Sequence, residues 1–127
     1  MNSRTRTSTA AHSSSAGQAG PWQQRVDGAD WGRITAEVSE LGCALTPQLL
    51  TPAESEQVAG LYDQEEHFRS TIEMGRYRFG AGEYKYFDRP FPEPVERLKQ
   101  ALYPRLLPIA RDWHAKLGRP APWPDTL

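Results

Sequence analysis

The sequence predicts an α+β fold that is mainly helical, with one short strand and one β-hairpin. Three observations carry that prediction. Apolar residues recur at steps of three and four along Trp31–Leu41 and again along Val95–Leu117. Val and Ile together number only 7, too few β-branched residues for a sheet-dominated fold of 127 residues. Two aromatic-rich runs flank a single glycine-containing loop at Gly80-Ala81-Gly82. Aromatic residues (4 Trp, 5 Tyr, 4 Phe) must then supply much of the core, because Val, Ile, Leu and Phe total only 22.

Met1–Gly20 is rich in Ser, Thr and Ala and carries no aromatic side chain. It offers too little apolar surface to offset the entropy of ordering, so residues 1–20 read as a disordered tail. It lacks the apolar stretch of a secretory signal and the apolar face of a transit peptide, which leaves the cytoplasm as the expected location. The folded region is expected over 21–118, followed by a proline-rich linker over 119–127.

The first helix is expected over Ala29–Leu41, with Asp27 or Asp30 as its cap and Trp31, Ile34, Val38 and Leu41 on one face. Gly42 ends it as a left-handed residue. Cys43–Leu45 reads as a short strand, with Cys43 an inert core residue. Thr51-Pro52-Ala53-Glu54 has the form of a capping box with Pro at the first helical position, and the helix it starts is expected to reach about Asp63.

Arg76–Phe79 and Glu83–Phe87 read as the two strands of a hairpin around Gly80–Gly82. That register sets Phe79 against Glu83, Arg78 against Tyr84 and Tyr77 against Lys85, with two cations beside aromatic rings. Arg76, Arg78, Tyr84 and Lys85 are therefore the candidate substrate-binding residues. Pro92–Leu117 reads as helix with a long apolar stripe of Val95, Leu98, Leu102, Leu106, Ile109, Trp113 and Leu117. Pro104 and Pro108 each remove a backbone donor, which predicts a break between Leu102 and Pro108 and a second segment capped by Gly118.

Composition and motifs exclude several classes. The balance of 15 basic and 16 acidic residues gives a net charge of −1, so neither a nucleic-acid partner nor a polybasic membrane contact is expected from overall charge. No run approaches the roughly 18 apolar residues of a membrane span. Cys43 stands alone, which removes internal disulfides and cysteine-based zinc sites. His12, His67 and His114 form no His-x-Asp or His-Glu-x-x-His pattern, and Gly80-x-Gly82 lacks the third glycine of a dinucleotide loop. No catalytic, cofactor-binding or metal-ligating residue can be assigned.

The run Arg76-Tyr77-Arg78-Phe79-Gly80-Ala81-Gly82-Glu83-Tyr84-Lys85-Tyr86-Phe87 carries a resemblance, together with Leu102-Tyr103-Pro104-Arg105-Leu106-Leu107-Pro108-Ile109-Ala110, Trp113 and Leu117-Gly118. These segments resemble the N-terminal half of bacterial Fe(II)/2-oxoglutarate-dependent oxygenases, some of them labelled proline hydroxylases. The similarity runs from about Trp31 to the C-terminus. It implies a double-stranded β-helix, iron held by a His-x-Asp and a distal His, and 2-oxoglutarate held by a basic residue. The chain stops at Leu127, before such ligands would appear. A β-helix of eight strands needs roughly 40 strand residues where about 12 to 15 are found. The expectation is therefore an N-terminal fragment of a hydroxylase-type dioxygenase that is not catalytically competent alone. Its helices would support a C-terminal β-helix domain, its principal partner. Fe(II) and 2-oxoglutarate would belong to the full-length enzyme, with neither bound to this chain, and the substrate would be a small molecule or peptide. The competing expectation is a non-enzymatic binding module that uses the aromatic and basic hairpin 76–87 for a peptide or a single-stranded nucleic acid.

Overall fold

A computed structural model describes residues 20–127, and the tail expected over 1–20 lies, except for Gly20, outside the described residues. The fold is α+β and mainly helical. Its elements are α1 (Pro21–Asp27), α2 (Trp31–Leu41), α3 (Pro52–Ala59), β1 (Phe68–Glu73), β2 (Glu83–Phe87) and α4 (Glu93–Lys116).

Local chemistry sets the helix starts. Pro21 occupies the first position of α1, where its fixed φ suits a helix and its missing N–H costs nothing. At seven residues α1 is too short to show periodicity, and sequence reasoning missed it. The Asp30 carboxylate accepts from the Arg33 N–H to cap α2, and Gly42 ends that helix at φ +79°, a left-handed conformation that favours glycine. The Thr51–Glu54 capping box of α3 forms as expected, with both reciprocal hydrogen bonds present. The helix stops at Ala59 rather than Asp63, because Gly60 opens a turn over 60–63.

The core lies where α1, α2 and α4 meet. Among the described residues its buried apolar side chains are Val26, Ile34, Ala101 and Leu107, with Pro94 buried at the start of α4. Trp31 Nε1 donates to the Val26 carbonyl at 2.7 Å, closing the corner between α1 and α2. Gln23 Nε2 donates to the Ala101 carbonyl at 3.3 Å, and Arg105 pairs with Asp27 at 3.0 Å, so α1 is fastened to the middle of α4. Arg25 reaches Glu54 at 2.6 Å and the Leu49 carbonyl at 3.3 Å, tying α1 to the start of α3.

Three expectations need correction. Cys43–Leu45 is not a strand. Among the described residues the sheet consists of β1 and β2 alone, and this segment does not pair with either; Cys43 is exposed rather than in the core, and Leu45 is 84% exposed, so no apolar burial holds the run against a sheet.

The hairpin has a different first strand. β1 pairs antiparallel with β2 in the register Thr71↔Lys85, Ile72↔Tyr84 and Glu73↔Glu83. Arg76 and Tyr77 lie instead in a 3₁₀ turn over Met74–Tyr77, and Arg78 takes a left-handed φ of 60° at its end. The Met74 N–H donates to the Gly82 carbonyl at 2.9 Å, so the connection is the nine residues 74–82, not three. Non-local pairing favours β1 because it supplies Ile72 and Thr71, β-branched residues suited to a pleated surface.

α4 runs unbroken through Pro104 and Pro108. The carbonyls they leave without a donor belong to Gln100 and Pro104. Gln100, Pro104 and Pro108 are all exposed, so water can satisfy those carbonyls. Of the expected stripe, Leu106, Trp113 and Leu117 are exposed at 46%, 39% and 61%, while the neighbouring Leu107 takes the core position.

Residues 119–127 return antiparallel along α4. His114 Nδ1 donates to the Pro120 carbonyl at 2.9 Å, and its ring meets that of Trp123 at 4.4 Å. Arg111 reaches the Trp123 carbonyl and Asp125, and Tyr103 Oη donates to the Pro124 carbonyl at 2.6 Å. The strap ends beside Gln100. Among the described residues no helix is long and apolar enough to cross a membrane.

Candidate functional site

The strand pairing gives the hairpin two chemically different faces. Alternation along β2 puts Glu83, Lys85 and Phe87 on one side, and Tyr84 and Tyr86 on the other.

Lys85 sits at the centre of the first face. Its side chain is 6% exposed. Nζ donates to the Glu65 carboxylate and the Tyr62 carbonyl, each at 2.8 Å, and lies 4.3 Å from the centre of the Tyr62 ring and 5.3 Å from that of Phe68. Phe68 stacks on Phe87 at 4.9 Å, and Tyr62 Oη donates to Glu83 at 2.8 Å. A cation removed from water needs replacement partners, and here two oxygens and two ring faces supply them. The Glu65 carboxylate holds the Lys85 ammonium above its ordinary pKa, and the hydrogen bond to Glu83 raises that of the Tyr62 phenol. Lys85 thus joins the turn after α3 to β1 and β2.

The other candidates do not converge with it. Arg76 pairs with the adjacent Glu73 at 3.0 Å on an exposed surface. Arg78 lies in the connecting loop and makes no ion pair among the described residues. Tyr84 stands across from Ile72, on the face opposite Lys85, and meets Tyr86 edge to face at 5.6 Å. Partial burial pushes its phenol pKa up. The expected Arg78–Tyr84 and Tyr77–Lys85 cross-strand pairs are absent, because the register that would form them is not used.

A second cluster, not anticipated from the sequence, occupies the opposite face and the turn into α4. β1 carries one extra residue between Phe68 and Ser70, and that residue is Arg69. Such a bulge re-aims a side chain, and the Arg69 guanidinium lies over the Tyr86 ring at 5.3 Å. Beyond β2, Arg89 and Lys99 both lie over Phe91, at 5.7 and 5.2 Å. These residues, with Phe87, Asp88 and Val95, line a groove of about 460 Å³. A contiguous groove of about 480 Å³ shares Arg89, Phe91 and Lys99 and continues to Glu96, Gln100 and Leu127. The only sequence signal was the mixture of cations and aromatics across Tyr86, Arg89, Phe91 and Lys99; Arg69 joins them only through the true strand pairing. Among the described residues no three of His, Cys, Asp and Glu come close enough to hold a metal ion.

Residues 82–127, which contain β2, all of the second cluster except Arg69, α4 and the strap, match the model of a family described as "Oxygenase, catalysing oxidative methylation of damaged DNA". The match relates this part of the chain to oxygenases. Two proteins of Mycobacterium tuberculosis, named as uncharacterized proteins Rv2227 and MT2286 and taken from two strains, are each 71% identical to this chain over 41 residues. Those 41 residues are 32% of this chain and 18% of each relative, so the chain matches under a fifth of the length of these relatives. No solved structure matches.

Proposed function

We propose that this chain is the scaffold and substrate-facing portion of an oxygenase that acts with Fe(II) and 2-oxoglutarate, and that its substrate is a nucleic acid. The observation that carries the reading is the family match over 82–127, whose description names both the oxygenase chemistry and DNA. It agrees in reaction class with the resemblance seen in the sequence.

The described residues do not fit the metal. Iron of this kind is held by two histidines and a carboxylate with positions left open, and no such set assembles among the described residues. The ligands in this proposal come from elsewhere in the enzyme. What these residues contribute is architecture and a surface. α1 is fastened to α4 through Gln23 and Asp27, while Leu106, Trp113 and Leu117 remain exposed on α4. In the proposal that apolar face seats the β-helix that carries the iron.

The experiment is turnover by the protein at its native length. Succinate formation that requires iron, 2-oxoglutarate and an added DNA oligonucleotide is the expected result. Its absence with oligonucleotides both damaged and undamaged would overturn the proposal.

A further inference from the structure

We infer that the groove lined by Arg69, Tyr86, Arg89, Phe91 and Lys99 is a docking surface for single-stranded nucleic acid, with the cations on phosphates and the rings beside bases. The choice of polymer rests on the proposed substrate class; the placement rests on the groove itself.

Charge distribution is the first argument. Eight of the described Lys and Arg side chains make ion pairs. Five do not, and three of those five, Arg69, Arg89 and Lys99, meet here. Each lies over an aromatic ring instead of a carboxylate. A ring face holds a cation in place without neutralising it, which leaves its N–H donors available to an anion. Two carboxylates, Asp88 and Glu96, also line the grooves, so three cations against two acids leave a net positive surface, and neither acid pairs with the three cations' side chains. Asp88 Oδ1 accepts from the Arg89 backbone N–H at 2.8 Å, and Glu96 Oε1 accepts from Gln100 Nε2 at 3.0 Å. The net charge of −1 is an average that conceals this patch.

Shape and chemistry select the polymer. The two grooves are contiguous through Arg89, Phe91 and Lys99, so the surface is elongated, as a backbone track must be. Tyr86 is 45% exposed. Single strands offer base faces to rings and guanidinium planes, whereas a duplex hides them in its stack. An acidic peptide would use the cations and leave both rings without a counterpart.

The test is fluorescence anisotropy of the full chain with a labelled oligothymidylate of about a dozen nucleotides. Three phosphate contacts predict a log–log salt slope near −2, from about −0.7 per contact. The Arg89→Gln/Lys99→Gln double variant should bind at least tenfold more weakly, with the slope reduced to about −0.7. Tyr86→Ala should weaken binding and leave the slope unchanged. Arg33→Gln/Arg97→Gln, which removes the same charge from two ion-paired positions, should bind as the parent does. Circular dichroism checks each fold, and the single variants Arg89→Gln and Lys99→Gln stand in if the double variant unfolds.

No binding at low salt would overturn the inference. So would equal loss in the Arg33/Arg97 control, tighter binding of a duplex than of the single strand, or equal competition by phosphatidylserine vesicles. The assay needs neither iron nor turnover. A failed oxygenase reading with intact binding, or the reverse, is therefore visible as such.

Discussion

Leu106 and Leu107 are adjacent in α4, and replacing each with Ala should have very different consequences. Leu107 is 8% exposed and belongs, with Val26, Ile34, Pro94 and Ala101, to the small set of buried apolar side chains among the described residues. Truncation to Ala removes about three methylene equivalents, a transfer loss of about 2.4 kcal/mol at 0.8 kcal/mol each. A cavity term adds to this in large cores. Here the core is small and can partly collapse, so about 2.5 kcal/mol is expected. For a domain near 100 residues that is a fall in Tm of roughly 10–20 °C. Leu106 is 46% exposed, so its truncation forfeits at most about half the transfer term and opens no cavity; about 1.2 kcal/mol or less is expected. The assay is thermal and urea unfolding followed by far-ultraviolet circular dichroism, both variants beside the parent. Loss at Leu106 equal to or greater than loss at Leu107 would refute the assignment of the faces of α4. The face given by simple periodicity would then be the buried one.

Thr51→Ala removes the hydroxyl that accepts from the Glu54 N–H and should cost about 1 kcal/mol in the same unfolding assay, with Thr51→Ser recovering most of it. The Lys85 and Tyr62 pKa values are both raised in the folded protein, so both groups bind their protons more tightly than in the unfolded chain. Their contribution is whole below the ordinary lysine and tyrosine range and is lost as pH rises through the raised folded values. Stability should therefore hold from neutral to about pH 10 and fall above it. Lys85→Met combined with Tyr62→Phe should flatten that fall, as measured by urea midpoints across the pH series. Cys43 is exposed, so one thiol per chain should react with a disulfide reagent at the same rate with and without denaturant; strong protection in the native state would contradict its placement.

What was legible in the sequence was what neighbouring residues decide among themselves. Thr51 and Glu54 are three apart, and their reciprocal bonds need nothing else in the chain; the same holds for Asp30 and Gly42 around α2. The hairpin shows where this ends. Gly80 and Gly82 announced a reversal, and β2 fell where expected, but its partner had to be chosen from a distance. The run 76–79 was nearer, yet Phe68–Glu73 had the residues that pair. That one error hid both clusters, because Arg69 reaches Tyr86, and Phe68 reaches Lys85, only in the true register. α4 illustrates a different gap. Intrinsic rules break a helix at Pro104 and Pro108, but an exposed face lets solvent take the freed carbonyls. Packing against α1 then decides that Leu107, not Leu106, points inward.

The most direct test of the proposed function follows isotopically labelled O₂ into organic product. The protein purified at the length its own cells make should place labelled oxygen in product when supplied with iron, 2-oxoglutarate and single-stranded DNA. The 127-residue chain under the same conditions should place none, since no described cluster can hold iron. Label incorporated by the 127-residue chain alone would contradict the assignment of the ligands elsewhere. The absence of label with the native-length protein across damaged and undamaged DNA would contradict the oxygenase reading itself.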